Sequence, residues 1–378
     1  GLLIQLRREE NAPARVEVCQ ALAARDDPRR VNRLHSLLYD SDPAVRDAAF
    51  SALDHLYADE PVKTAEAGLS ASSDDVRRRG LQVLTSLVRK KKPKGPEEPT
   101  WELLLRALND SFPSVRSEAF KAVLNLKIDG GGAKTLRFVL QSVQPDVRLE
   151  VLTEVMAQMK EPWAWELLLS FYNDPDANLR SEAFEFAKKQ AKDLEALEPT
   201  LESKYVDLRK MGVDALIKKH SAPAQSLLVK ALTDEEREVR KMALDALILD
   251  DARPALLEAL QSEHGDVRSG AGVALAKHGE PAAYDSLVEL ASAPEPEKDE
   301  DRKRWQSLVE IALSGLAWLG DTRAHSLALS LTQCEHKSIR DKAVRVLIWT
   351  TRPETQTALK PLLQHSDLNV RYHAAFAL

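Results

Sequence analysis

The sequence predicts an all-α protein, built as a solenoid of about twelve stacked two-helix repeats. The first observation is a motif around Arg240, in which Asp234 precedes the pair Val239-Arg240. A small residue follows three positions after the arginine, and apolar residues follow four and seven positions after it. The second observation is that this frame, marked by its arginine, recurs along the chain with a spacing near 31 residues. A fixed period of this length, with helical spacing inside each period, is typical of a helical solenoid. The register arginines are Arg15, Arg46, Arg77, Arg116, Arg148, Arg180, Arg209, Arg240, Arg268, Arg304, Arg340 and Arg371.

The length supports a stack rather than one globular core. A single core rarely grows beyond roughly 250–300 residues, and the chain has 378. We therefore predict one solenoid over residues 1–378. The helix-like segments LLIQLRRE at the start and RYHAAFAL at the end lead us to expect a fragment of a longer chain.

Each repeat is predicted to begin with an apolar helix A, such as WELLLRAL at residues 101–108, followed by a short polar turn. In the second repeat, Asp42 is placed to cap the next helix, and Pro43 occupies the first helical position, where no amide donor is needed. Phe112 precedes Pro113 in the same way but is a poor cap.

Helix B carries the register arginine and an apolar stripe at positions three, four and seven after it, as expected for the packed face of an amphipathic helix. The residue three positions after the arginine is small in ten of the twelve repeats, which predicts a close approach by the neighbouring repeat. These small residues are Ala49, Gly80, Ala119, Ala183, Gly212, Ala243, Ala271, Ser307, Ala343 and Ala374.

The register arginines have two interpretations. An aspartate stands six residues before the arginine in four repeats, at Asp40, Asp110, Asp174 and Asp234. A carboxylate in the turn and a guanidinium on helix B can pair between successive repeats, which would give a ladder of charge-assisted hydrogen bonds. A row of arginines can also follow a phosphate backbone. We favour the ladder, because the aspartate recurs with its arginine.

The pattern D-x-x-x-x-[VL]-R-x-x-A, on a two-helix unit of about 31 residues, resembles the HEAT repeat, and in particular the short bacterial variety named after phycobilisome (PBS) lyases. The resemblance covers the whole chain. It implies a right-handed α-α superhelix whose B helices line the concave side. HEAT stacks serve as scaffolds, peptide-binding surfaces, lyase subunits and DNA-binding enzymes, so the resemblance does not choose between functions.

Composition argues against several classes. The net charge is -6 and the pI is near 5.9, without the basic excess of a protein dedicated to nucleic acid. No apolar run approaches the roughly 18–20 residues of a membrane span, and no signal peptide opens the chain. We expect a cytoplasmic protein. The two cysteines, Cys19 and Cys334, lie in distant repeats, so we expect no disulfide between them, and Cys19 is predicted to be a core residue.

Enzyme signatures are weak, and we predict no cofactor and no metal. HEAT-like di-iron hydroxylases rely on His-Glu dipeptides, and none of the nine histidines is followed by glutamate. HEAT-like DNA glycosylases need an acidic residue beside tryptophans, as in Trp101-Glu102 and Trp165-Glu166. However, TWELLLRALND and AWELLLSFYND are one stretch of helix A that recurs 64 residues later, which favours packing.

The period is interrupted at two places, which we predict to be loops at residues 89–100 and 291–304. The first contains RKKKPKGPEEPT, whose basic run could contact nucleic acid or an acidic partner, although two glutamates partly offset it. The second, with APEPEKDEDRKR, is highly charged and lacks an apolar face. The repeat marked by Arg304 departs most from the motif.

The predicted function is a non-catalytic scaffold that binds a protein partner along the helix-B surface. The alternatives are a nucleic-acid-binding module, which would use residues 77–79 and 89–94, and a lyase-type or other enzyme subunit. Positions one, two and five after each arginine are expected to face the partner, and their charges are mixed in sign, which suits a protein better than a polyanion. The candidate partner-binding residues are Arg78, Arg79, Gln82, Glu118, Lys121, Glu150, Glu182, Lys210, Lys241, Trp305 and Tyr372.

Overall fold

The structure, a computed structural model, describes residues 11–91, 99–126, 132–192, 194–350, 356–357 and 359–378. These residues form α-helices, short 3₁₀ helices and turns, and they contain no β-strand. The all-α repeat fold predicted from the sequence is confirmed.

The contacts divide the chain into two compact blocks, Gly1–Ala187 and Lys188–Leu378, where the sequence analysis predicted one solenoid. We call them the N-terminal and C-terminal blocks. In the N-terminal block, helices A and B alternate along the chain. The helices are α1 (Ala12–Ala24), α2 (Arg30–Leu37), α3 (Pro43–Leu56), α4 (Pro61–Leu69), α5 (Asp74–Lys91), α6 (Pro99–Leu108), α7 (Pro113–Asn125), α8 (Gly132–Val139), α9 (Pro145–Ala157), α10 (Ala164–Ser170) and α11 (Ala177–Gln190).

The C-terminal block repeats the same alternation, with a 3₁₀ helix at Glu198–Glu202 and another at Lys360–Gln364 in the place of helix A. Its α-helices are α12 (Val206–Ile217), α13 (Ala222–Ala231), α14 (Arg237–Leu249), α15 (Arg253–Ala259), α16 (Gly265–Lys277), α17 (Tyr284–Ala291), α18 (Asp299–Leu319), α19 (His325–Leu331), α20 (Lys337–Trp349) and α21 (Leu368–Ala377).

The predicted turn chemistry is observed at the start of helix α3. The Asp42 side chain accepts the Ala44 amide at 2.8 Å, and Pro43 is the first helical residue. At α7, Phe112 provides no side-chain cap, as expected, and its own amide is bound instead by the Asp110 carboxylate at 2.9 Å.

The small residue of helix B allows a close approach inside its own repeat, not by the neighbouring repeat as we predicted. A Cβ atom added at Gly80 in α5 would lie 2.8 Å from the Gly68 Cα in α4. A Cβ at Gly212 in α12 would lie 1.7 Å from Thr200 Oγ1, in the 3₁₀ helix of the same repeat. The small position therefore lets helix B pack against its own helix A.

Cys19 is fully buried in the core of the N-terminal block, as predicted. Its thiol lies 3.9 Å from the carbonyl of Val45, and burial raises the pKa of the thiol to about 11.

Most of the register arginines form the predicted ladder, and most also bond within their own repeat. Arg148 donates two hydrogen bonds to Asp174 of the next repeat, Nε to Oδ2 at 2.7 Å and Nη2 to Oδ1 at 3.0 Å. Its Nη1 donates to the carbonyl of Ser142, six residues earlier, at 3.2 Å. The same bond to the carbonyl six residues earlier is made by Arg46, Arg116, Arg180, Arg209, Arg240, Arg268, Arg340 and Arg371. The arginine thus joins its own turn to the following repeat.

In the ladder from Arg15 to Arg240 the acceptor carboxylate alternates between two positions, whereas Arg340 pairs with Asp367, four residues before Arg371. The aspartate six residues before the next arginine is the acceptor in the pairs Arg15–Asp40, Arg77–Asp110, Arg148–Asp174 and Arg209–Asp234. An aspartate two residues before the next arginine is the acceptor in the pairs Arg46–Asp75, Arg116–Asp146 and Arg240–Asp266. The sequence analysis predicted only the first position.

The alternation follows from the residue that binds the turn amide. In the first kind of repeat the aspartate accepts both from the arginine and from the amide two residues later, as Asp174 does from Asp176 at 2.8 Å. In the second kind a serine binds that amide, as Ser142 does for Gln144 at 3.2 Å, except in the repeat of Arg77, where this position is Ala71. A serine side chain has no charge to pair with the arginine of the preceding repeat. That arginine pairs instead with a carboxylate in the first turn of helix B. Ser203 and Ser262 act like Ser142.

The ladder predicts a dependence of stability on pH through Asp40. Burial alone raises the pKa of this carboxyl, but hydrogen bonds from Arg15 and from the Asp42 amide outweigh burial and hold the pKa below its usual range. A lowered folded pKa contributes stability above the unfolded pKa of about 4, and this contribution is lost as the pH falls through the folded pKa. We expect Asp40→Asn to reduce the free energy of unfolding by about 1–3 kcal/mol at pH 7. The difference from the unmodified chain, measured by urea denaturation, is expected to shrink steadily below pH 4, and an equal difference at pH 3 and pH 7 would contradict it.

The helix of repeat ten follows a register different from the one we predicted. In α18 the buried residues include Val309, Ala312, Leu313 and Leu316, whereas Ile311, the predicted apolar position, is 41% exposed. This pattern of burial matches the pattern at Arg240, Ala243, Leu244 and Leu247 of α14. Val309 therefore occupies the place of the register arginine, and the assignment to Arg304 was wrong. From Val309 to Arg340 the spacing is again 31 residues.

The two predicted loops are shorter than expected. Residues 299–304 form the first turns of α18, because the charged segment continues the helix beyond its packed part. At the other interruption α5 extends to Lys91 and α6 begins at Pro99, and residues 92–98 lie outside the described residues.

Candidate functional site

The predicted partner-binding residues of the N-terminal block lie at exposed or half-buried positions on successive B helices. Three of them, Arg78, Arg79 and Glu118, are engaged in ion pairs between neighbouring repeats. Arg79 pairs with Asp47 and lies over the Phe50 ring, with 4.7 Å between the guanidinium carbon and the ring centroid. Arg78 lies 3.8 Å from Glu118. Gln82, Lys121 and Glu182 are exposed, and Glu150 is half-buried.

In the C-terminal block the candidates differ in accessibility. Lys241 and Tyr372 are exposed, and Lys210 pairs with Glu238 of the next repeat. Trp305 is half-buried, because its indole N–H donates to the Ala293 carbonyl at 2.8 Å and its ring packs edge-on against His336. Trp305 therefore holds the segment before α18 in place, and its role in partner binding stays a prediction.

A cleft of about 690 Å³ opens between α16 and α18, where the register changes. On α16 it is lined by Ser269, Gly270 and Val273, which stand one, two and five positions after Arg268. These are the positions that the sequence analysis assigned to the partner. On α18 it is lined by residues of the added turns and of the first packed turn, Arg304, Leu308 and Ile311.

The cleft combines an apolar centre with a charged rim. Ile248 and Val273 face the cleft together with Leu308 and Ile311. The charged residues of the rim are Arg237, Asp266, Arg268, Glu289 and Arg304.

Four of these charges are balanced within the structure. Arg268 donates its Nε to Glu289 Oε2 at 3.1 Å, and Asp266 accepts from Arg240 of the ladder at 3.0 Å while lying 3.7 Å from Arg237. Arg304 is exposed and forms no ion pair with any residue that the structure describes. The rim carries three arginines and two carboxylates, so it is positive by one charge.

A protein-family comparison matches the model of HEAT repeats over residues 1–85 and 226–305. Together with the two-helix repeats and their arginines, this match settles the class of repeat. In these two ranges the chain carries HEAT repeats.

Solved structures similar to this chain were also found. An engineered protein is 18% identical over 99% of this chain and 97% of its own, with a TM-score of 0.30. The complex of CpcE and CpcF of phycocyanin lyase from Nostoc sp. PCC7120 is 23% identical over 50% of this chain and 76% of its own, with a TM-score of 0.34. YibA of E. coli is 17% identical over 89% and 98%, with a TM-score of 0.30. A comparison with curated proteins gave no match.

Trp101, one of the two glycosylase-like tryptophans, belongs to the packing. Trp101 is buried, and its ring centroid lies 4.5 Å from that of Phe138 on the next helix A. Glu166 is exposed and pairs with Arg137 at 2.9 Å. Within the described residues no group of three or more histidine, cysteine, aspartate or glutamate side chains is placed to hold a metal ion.

The basic run at residues 89–94 falls mostly outside the described residues, which end at Lys91 and resume at Pro99. No helix in the described part of the chain is both long and apolar enough to cross a membrane.

The residues that form the cleft were not among the candidates selected from the sequence. Ser269, Gly270 and Val273 occupy the expected positions but are small or apolar, whereas the selected residues have large polar, charged or aromatic side chains. A signal was nevertheless present, since α16 contains Gly265, Gly270 and Gly272 in a helix where one small position is usual.

Proposed function

We propose that this HEAT-repeat chain is a non-catalytic scaffold that binds a protein partner on the exposed face of its B helices. The observation that supports this most is the burial of the register arginines. Arg148, Arg180, Arg209 and Arg240 are buried, and their guanidinium groups bond to turn carbonyls of their own repeats. Groups held in this way are not available to a phosphate backbone.

The exposed face carries charges of both signs. Lys121 and Lys241 are exposed on their B helices, and so are Glu182 and Asp245. Other charged residues of this face already form ion pairs between repeats. A polyanion needs a continuous positive surface, whereas a folded protein or peptide can match a mixed one. The scaffold is therefore favoured over the nucleic-acid-binding module.

The test compares two double variants by affinity capture from the source cell, with nuclease present. Lys121→Glu/Lys241→Glu reverses two exposed charges on B helices. The matched control, Lys134→Glu/Lys360→Glu, reverses two exposed lysines in helix-A segments. We expect a protein retained by the unmodified chain to lose about tenfold in affinity with the first variant, which corresponds to about 1.4 kcal/mol, and to bind the control normally.

A second measurement separates the nucleic-acid alternative. We expect no binding of duplex DNA or single-stranded RNA at about 50 mM salt, where phosphate contacts are strongest. Binding that falls steeply with salt and is weakened by Lys121→Glu/Lys241→Glu would replace the scaffold by a nucleic-acid function.

A further inference from the structure

The cleft between α16 and α18 has features that the rest of the helix-B face lacks. Between most of the neighbouring repeats that the structure describes, the arginine of one repeat pairs with an aspartate of the next. At repeat ten Val309 replaces the arginine of the ladder. Arg268, in the preceding repeat, pairs with Glu289 on helix α17 and not with an aspartate of the following turn. The ladder is interrupted here, and the cleft lies at the interruption.

The size of the cleft suits part of a peptide. Ligand sites commonly have volumes of about 300–1,000 Å³, and 690 Å³ can hold two or three side chains. Gly265 leaves the start of α16 accessible, because a Cβ atom there would have only the end of the Arg268 side chain within 4 Å. The walls are the apolar side chains of Val273, Leu308 and Ile311.

The charge of the rim determines which kind of ligand the cleft favours. Arg237 and Arg268 have carboxylate neighbours at 3.7 Å and 3.1 Å, respectively. The guanidinium of Arg304, on the turns added to α18, has no such neighbour in the described part of the chain, so it is the group left to receive a carboxylate. A positive rim around an apolar centre favours an acidic residue next to a large apolar one and disfavours a basic segment.

We infer that this cleft binds an acidic segment of the protein partner, with a carboxylate on Arg304 and an adjacent apolar side chain between Val273 and Ile311. The inference rests on the proposed function and specifies one docking point for the partner. Since Arg304 forms no ion pair in the described structure, its replacement removes the binding group without removing a contact of the fold.

The test is a selection of phage-displayed random 12-residue peptides on the full chain, carried out in parallel on Arg304→Glu. The matched control is Arg345→Glu, which reverses an exposed arginine on the next B helix, α20, outside the cleft. We expect the unmodified chain and Arg345→Glu to select peptides with aspartate or glutamate beside leucine, isoleucine or phenylalanine. Arg304→Glu is expected to select none of them.

The selected peptides, resynthesised with a fluorescent label, are then measured by anisotropy. We expect Arg304→Glu and Ile311→Ser each to weaken binding about tenfold or more, and Arg345→Glu to change it less than twofold. A selection without acidic sequences, an empty selection, or equal affinity for Arg304→Glu would overturn the inference. If a partner is captured equally well by Arg304→Glu, the proposed scaffold function holds but this docking point is wrong. If no partner is captured at all, the proposed function itself is refuted.

Discussion

Asp174→Ala is expected to lower the free energy of unfolding of the N-terminal block by about 3–5 kcal/mol, the usual cost of removing one partner of a buried ion pair. The side chains of Arg148 and Asp174 are only 8% and 6% exposed, and two hydrogen bonds join them. Without the carboxylate, the guanidinium stays buried with its charge uncompensated. The Asp176 amide also loses its acceptor at the start of α11.

The matched control is Asp146→Ala, which removes the equivalent carboxylate from the pair with Arg116. The Asp146 side chain is 45% exposed, so water can solvate the arginine that remains. We expect a loss of about 1 kcal/mol or less. Urea denaturation followed by circular dichroism measures both variants. Equal losses would show that the burial of the ladder does not determine its contribution to stability.

Gly80→Ala is expected to destabilise the same block by about 3 kcal/mol, although alanine favours helix more than glycine does. The added Cβ would lie 2.8 Å from the Gly68 Cα and 2.9 Å from the Ala65 carbonyl oxygen. Both are backbone atoms of α4, so relief requires moving one helix away from the other. Thermal and urea denaturation measure the loss.

Gly265→Ala provides the comparison for the glycine substitution. A Cβ at Gly265 in α16 would meet only the end of the Arg268 side chain, at 3.8 Å. We expect its stability to stay within about 0.5 kcal/mol of the unmodified chain. A loss as large as that of Gly80→Ala would mean that helix contact is not the cause.

The repeat fold and half of the ladder could be predicted because they depend on local spacing. A stripe at three, four and seven residues defines the buried side of a helix, and an aspartate in the turn is within reach of an arginine. The second acceptor, two residues before the next arginine, was not predictable in this way. Asp75 and Asp146 can pair with an arginine only if successive B helices are suitably displaced along each other. The helical period within one repeat does not specify this displacement.

The register of repeat ten was not predictable from the motif, because the residue that defines the motif is missing there. Arg304, Ser307, Leu308 and Ile311 show helical spacing by themselves, and only packing reveals that Val309 is the equivalent position. The cleft shares this origin. It is formed by added turns of α18 beside small residues of α16, two segments whose contact cannot be read from either segment alone.

The alternation of the ladder has a consequence for engineering this chain. From Asp40 to Ser262 aspartate alternates with serine or alanine at the turn position of successive hairpins, and the stretch ending at Asp110 recurs 64 residues later, ending at Asp174. A consensus sequence averaged over single hairpins would mix the two turn types. The guanidinium group of an arginine would then face two carboxylates or none. The smallest module that can be copied or shuffled with its charges balanced is a double hairpin of about sixty residues.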